Sequence, residues 1–287
     1  MSNVFLFPGQ GSQFKGMGRE LLSEFHDKFQ EASKILCYSL EKLILLDENN
    51  LLNKTLFTQP ALYVVSCLDY IKRIRESNIV PDYVAGHSLG EFAALFAAGV
   101  YDFETGLKIV NKRAQIMSKI SNGGMAAVVG LTKENVKSIL KDIDGLFISN
   151  YNSEFQVVIS GHKNLIEKSE KLFLENGASG YYILPINCPC HSKLLEDSAT
   201  KFKAYIESFE LKLPNIPIIS NLTAKEYEFN DIYETMSKQM CNQVRWRQSM
   251  NYLLDKKIDE FTVVGPSQVL KKLIDRNRNE YKSILVQ

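Results

Sequence analysis

The sequence predicts an α/β fold: a large domain built on a mostly parallel sheet, with a smaller unit inserted late in the chain. Three observations carry this prediction. Short apolar runs alternate with stretches of helical spacing through residues 1–122. The pentapeptide Gly86-His87-Ser88-Leu89-Gly90 lies between the run Tyr83-Val84-Ala85 and the helix-like stretch Glu91 to Ala98. From Gly123 to about Asn187 the order changes to βαββαβ, that of a ferredoxin-like unit.

The elements follow in order. Val4 to Phe7 reads as a buried strand, and the glycine-rich loop Pro8-Gly9-Gln10-Gly11-Ser12-Gln13 leaves its end, where α/β sheets place ligands. That loop runs to Gly18, and a helix follows through Phe29 to Ser39. Gln59-Pro60 starts the next helix, proline being acceptable in a first turn, with Leu62, Val65, Leu68, Ile71 and Ile74 on one face. After the strand Tyr83 to Ala85 and its helix comes a helix over about Asp102 to Ser121. In the inserted unit, Met125 to Gly130 is a strand and Thr132 to Ile143 a helix capped by Thr132. Leu146 to Ser149 and Gln156 to Ser160 are strands, Asn164 to Asn176 a helix and Tyr181 to Ile186 the final strand. The chain then gives a helix from about Ser192 to Phe209, the strand Ile216 to Ser220, another helix, the strand Phe261 to Val264 and a last helix after Gly265-Pro266-Ser267. The expected division is 1–122 and 189–287 for the large domain, with 123–188 as the ferredoxin-like subdomain.

Composition narrows the function. Hydrophobic residues make up 45% of the 287 and charged residues 23%, enough for a full core. With 34 Lys and Arg against 33 Asp and Glu, no net charge draws the chain to nucleic acid or a membrane surface. The run Val4-Phe5-Leu6-Phe7 lacks a basic segment before it, so no signal peptide is expected, nor a transmembrane span elsewhere. Five cysteines, at 37, 67, 188, 190 and 241, are odd in number and lack a framework spacing, which favours a reducing, cytoplasmic setting. Cys188-Pro189-Cys190-His191 resembles half of a metal site, but zinc needs about four ligands and the other cysteines stand singly. No metal is expected.

Strand, G-x-S-x-G and helix together form a nucleophile elbow. Glycines at 86 and 90 remove side chains where the chain turns sharply, leaving Ser88 at the tip. The helix behind it presents N–H groups and a positive dipole end to a developing oxyanion, with the Leu89 N–H first. Serine needs a base. Of the four histidines, His26 lies among charged neighbours, His87 is part of the elbow, His162 follows a strand, and His191 stands where the chain returns from the small unit. A triad would need an acid, and Asp102 and Glu104 are both candidates by chain order. The elbow leaves the acyl group open.

Further stretches extend the pattern: Phe57-Thr58-Gln59-Pro60-Ala61-Leu62, Lys112-Arg113 with Met117, Gly123-Gly124-Met125-Ala126-Ala127-Val128, and Gln156-Val157-Val158-Ile159-Ser160-Gly161. His191-Ser192, Pro217-Ile218-Ile219-Ser220-Asn221 and Val244-Arg245-Trp246 complete it. In these stretches, taken in order over nearly the whole length, the chain resembles malonyl-CoA:acyl carrier protein transacylases. It looks closest to the free-standing, trans-acting acyltransferases of modular polyketide synthases. The resemblance implies an α/β-hydrolase-like core with the active site between core and subdomain, and no cofactor. It implies a Ser88–His191 dyad whose imidazole is held by a main-chain carbonyl, with Gln239 at the matching position. Gln10 would give the second oxyanion amide, Arg113 would clamp the malonyl carboxylate, and Gln59 and Asn152 match polar positions near the pocket. The implied partners are malonyl-CoA and the phosphopantetheinylated acyl carrier protein of polyketide or fatty acid synthesis.

Three departures stand out. Pro189-Cys190 replaces the usual pair before the histidine, Leu195 replaces a common methionine, and Gly265 to Lys272 replaces a glycine-rich run. Lys271, Lys272, Arg276 and Arg278 form a candidate patch for an acidic carrier, or a solvated helix face. Two rivals are a trans-acting acyl hydrolase using Ser88 and His191 without need of Arg113, and a non-catalytic docking subunit, which needs none of the three.

Overall fold

Two four-stranded sheets, one parallel and one antiparallel, organise the chain in a computed structural model that describes residues 2–266 and 268–285. Ser267, within the last departure noted above, lies outside the described residues.

Strand β1 (Asn3–Phe7) leads through the Gly9–Gln13 loop to α1 (His26–Leu36). Cys37 then takes a positive φ of 60° and stops the helix at Leu36, short of the expected Ser39. A separate helix, α2 (Leu40–Leu46), follows, its Ser39 hydroxyl accepting from the Lys42 N–H. Ser39 with Leu40, Leu43 and Ile44 was its signal in the sequence. Helix α3 (Thr55–Ser77) begins earlier than Gln59, so Pro60 sits in the second turn. There its missing N–H leaves the Leu56 carbonyl without the usual helical donor. The earlier start is set by the Lys54 carbonyl, which accepts from the Phe57 and Thr58 amides.

Strand β2 (Tyr83–Gly86) precedes α4 (Gly90–Ala97), and Asp102 caps α5 (Phe103–Ser118). The second sheet then begins with β3 (Gly123–Val129), followed by α6 (Lys133–Leu140), β4 (Leu146–Ser153) and β5 (Gln156–His162). The expected helix from 164 to 176 is broken into α7 (Lys163–Lys168) and α8 (Glu170–Glu175). Between them the Ser169 hydroxyl donates to the Leu165 carbonyl, a local bond that bends helices. Strand β6 (Gly180–Ile183) closes the unit.

The chain returns through α9 (Glu196–Ile206) and β7, which is only Ile218–Ile219. Two helices stand where one was expected, α10 (Ile232–Lys238) and α11 (Trp246–Asp255), before β8 (Glu260–Val263) and α12 (Gln268–Leu285).

The first sheet has the order β7-β2-β1-β8, parallel throughout. The second has the order β4-β5-β3-β6 with antiparallel neighbours, the ferredoxin-like arrangement. The molecule is therefore a large α/β domain carrying a small ferredoxin-like one. Helices α3, α4 and α5 cover one face of the parallel sheet in a core rich in Leu, Val and Phe; α11 and α12 cover the other around Trp246. The small sheet is tied back by Tyr151 and Val244, whose amides donate to the Val244 and Ser149 carbonyls at 2.9 and 2.8 Å. No described helix is long and apolar enough to cross a membrane.

Candidate active site

Parallel pairing of β1 with β2 ends at Phe7 and Gly86, so the Pro8–Gln13 loop and the elbow leave the same sheet edge. The glycines are required by close approach. A Cβ on Gly86 would lie 1.9 Å from the Gly90 carbonyl carbon, and one on Gly90 would lie 2.1 Å from the Phe7 oxygen. Between them Ser88 takes a left-handed φ of 51°, a strain of about 1–3 kcal/mol that surrounding bonds must hold. Asn221 holds it. Its Oδ1 accepts from the Ser88 N–H and its Nδ2 donates to the Gly86 carbonyl, both at 2.7 Å.

The Ser88 hydroxyl lies 2.7 Å from His191 Nε2, and His191 Nδ1 lies 2.7 Å from the Gln239 main-chain oxygen. A carbonyl only accepts, so Nδ1 carries the proton and Nε2 offers its lone pair to the serine. Burial, and then the charge of Arg113, push the imidazole down to about 3, which keeps it neutral. Neither candidate acid is near: Asp102 accepts from the Thr105 N–H and Glu104 pairs with Lys108. The arrangement is a dyad. Of the other histidines, His26 and His162 are exposed, while His87 Nε2 bonds Asn152 Oδ1 at 2.9 Å and its ring packs on Trp246.

Arg113 is 1% exposed. Its Nη1 donates to Gln59 Oε1 at 2.7 Å and its Nη2 to Gln239 Oε1 at 3.0 Å, over the Phe92 ring. Its Nε is buried without a partner, and burial lowers the affinity of the group for its proton. A desolvated guanidinium with a donor to spare is a receptor for a carboxylate. Ser88, Leu89, His191, Arg113, Gln59 and Gln10 all border one cavity of about 490 Å³. Asn152 borders it too, though its side-chain oxygen is engaged by His87. The Gln10 side chain turns to Thr55 at 3.2 Å, so only its main chain is free for the cavity.

Gln239 does more than its sequence position suggested. Its Nε2 donates to the Ser88 carbonyl at 2.7 Å and to Glu91 Oε2 at 3.2 Å, while its Oε1 receives Arg113. Glu91 was missed in the sequence. It is buried on α4, where it also accepts from the Tyr227 hydroxyl and the Asn221 N–H, and burial pushes its carboxyl up to about 7. Its signal was an acid in an otherwise apolar helix directly behind the elbow. Both nitrogens of His191 are engaged, so the Cys-Pro-Cys-His run holds its histidine away from metal. Among the described residues no group of three or more His, Cys, Asp or Glu is placed to hold a metal ion.

The acyl transferase domain family matches residues 4–283. The polyketide biosynthesis malonyl CoA-acyl carrier protein transacylase PksC of Bacillus subtilis is 45% identical over 285 residues, which cover 98% of this chain and 99% of the relative. Among solved structures, the malonyl CoA-acyl carrier protein transacylase from Burkholderia pseudomallei is similar with a TM-score of 0.94 and 41% identity, covering 97% of this chain and 98% of that one. A malonyl-transacylase in complex with a type II polyketide synthase acyl-carrier protein gives 0.93 and 31%, covering 97% and 94%.

Proposed function

Since the chain belongs to the acyl transferase family, we propose that it carries a malonyl group from malonyl-CoA to the phosphopantetheine thiol of an acyl carrier protein, for polyketide or fatty acid synthesis. The observation that carries the reading is the buried Arg113, with its unpartnered Nε, in the cavity that holds the Ser88–His191 pair.

His191 Nε2 takes the Ser88 proton as the hydroxyl oxygen attacks the thioester carbonyl. The Leu89 N–H, in a first helical turn without intrahelical acceptors, and the Gln10 N–H hold the oxyanion. Each such donor contributes on the order of 3 kcal/mol to the transition state. CoA leaves with the proton from His191, and the malonyl ester keeps its carboxylate on Arg113. The carrier thiol, deprotonated by His191, then attacks the ester, and Ser88 recovers its proton. Gln59 fixes the guanidinium, and Asn152 shapes the wall opposite through His87. A hydrolase clearing simple acyl groups has no use for a buried cation here, so transfer is favoured.

The carrier is acidic by class, and the exposed Lys271 and Lys272 on α12 are the proposed steering charges. Arg276 is turned to Gln156 and Arg278 lies over Phe261, so they contribute less. We place the enzyme in the cytoplasm, in keeping with its five free cysteines, and the subdomain at residues 123–188.

Incubation with malonyl-CoA is expected to add one malonyl mass to the peptide holding Ser88, discharged by a phosphopantetheinylated carrier. Ser88→Ala should show neither step. An unlabelled wild type, under conditions that label a relative, would end the reading.

A further inference from the structure

Cys188 and Cys190 flank Pro189 in the segment that returns the chain to His191. The Cys190 N–H donates to the Cys188 carbonyl at 2.9 Å, closing a three-residue turn. A turn closed this way keeps its end α-carbons within the roughly 4.4–6.8 Å that a disulfide spans. Both thiols are free and buried, and they are near enough that each alters the ionisation of the other. The Cys188 thiol lowers the Cys190 thiol from its ordinary value, burial opposes this and the charge of Arg113 adds to it, while Cys188 is raised. Cys190 also borders the cavity beside Ser88 and Arg113, which gives small solutes a route to its sulfur. Acyl transfer uses neither thiol.

We propose that this pair is a modification site for hydroperoxide oxidants, closing to an intramolecular disulfide. The Cys190 thiolate attacks one oxygen of hydrogen peroxide, the O–O bond breaks, hydroxide leaves and Cys190 becomes a sulfenic acid. The Cys188 sulfur then attacks the sulfenic sulfur, and its proton departs with the hydroxyl as water. Two thiols lose two electrons in all, and one peroxide is reduced to two waters. Closing this ring turns the peptide that enters His191, a residue already at a φ of 59° and 2.7 Å from Ser88. Displacing a reacting group by about 1 Å costs on the order of a hundredfold in rate.

The full-length protein, free of reductant, is treated with hydrogen peroxide, alkylated, digested and weighed. The peptide containing both cysteines is expected to lose two hydrogens and two alkylatable thiols, transfer to fall by about a hundredfold, and dithiothreitol to restore both. Cys188→Ser should stop at a Cys190 sulfenic acid that dimedone traps. Oxidation of the exposed Cys37 while Cys188 and Cys190 still alkylate overturns the proposal. So does a Cys188→Ser protein that still accepts malonyl at Ser88 yet gives no dimedone adduct. Only the rate readout rests on the transacylase reading; the thiol masses are read without it, so failure of one is distinct from failure of the other.

Discussion

Arg113 and Glu91 are two buried ionisable groups on which the site turns, and each makes a separate prediction. Arg113→Lys keeps the charge but cannot reach both Gln59 and Gln239 while offering a third donor. Losing one charge-assisted bond costs about 1.5–3 kcal/mol, so kcat/KM for malonyl-CoA should fall roughly tenfold to a hundredfold. Steady-state kinetics, with acetyl-CoA as the control that needs no clamp, measure this. Glu91 sets a pH dependence together with His191. Between about 3 and the ordinary 6.5, the unfolded chain binds a proton that the folded His191 refuses, so stability falls as pH drops. Between the ordinary 4.5 and about 7, the folded Glu91 holds a proton that the unfolded chain gives up, so stability falls as pH rises. Where the windows overlap, two slopes of about 1.4 kcal/mol per pH unit oppose each other. Glu91→Gln removes one of them. Urea unfolding of the variant at pH 5 and 6 should show stability rising with pH more steeply than in the wild type; parallel profiles would refute the assignment.

The elbow links β2 to α4 by contact that admits no extra atom. Gly90→Ala is expected to destabilise the protein by about 3 kcal/mol, because the intruded oxygen belongs to the backbone of β1; thermal unfolding would show it. On α12, Lys271→Glu with Lys272→Glu should raise the carrier KM several-fold at low salt and leave malonyl labelling of Ser88 unchanged. Equal carrier kinetics would remove the steering role. Most of these elements were legible in the sequence. G-x-S-x-G placed Ser88, and the βαββαβ order gave the small sheet its topology. Boundaries failed where a side chain competes with the backbone, as at Ser169, or where one residue adopts a positive φ, as at Cys37. The site was half legible. Ser88 announces itself through flanking glycines, whereas Glu91, Asn221 and the side chain of Gln239 meet only after folding, from positions up to 148 residues apart.

Across the molecule, the cavity lies between the loops at the carboxyl edge of the parallel sheet and the strands of the small sheet, and its width depends on how the two are joined. One joint is the pairing of Val244 with β4. Another is Arg247, whose Nη2 and Nη1 reach Glu154 and Glu280 at 2.6 Å each, fastening α11 to the β4–β5 turn and to α12. Arg247 is nearly buried while Glu154 and Glu280 keep some access to water, so Arg247→Ala should cost about 1.5–3 kcal/mol, read by denaturant titration. Unchanged stability would mean that the joint is held elsewhere. A further link lies behind the cavity wall, within the large domain. Gln239 supports the imidazole with its main-chain carbonyl and the guanidinium with its side-chain amide oxygen, so a single residue is coupled to the groups at both extremities of a malonyl unit. A tailless acyl chain engages one extremity only. Selection is thus a difference in turnover, and thioesters lacking the far carboxylate are expected to react slowly.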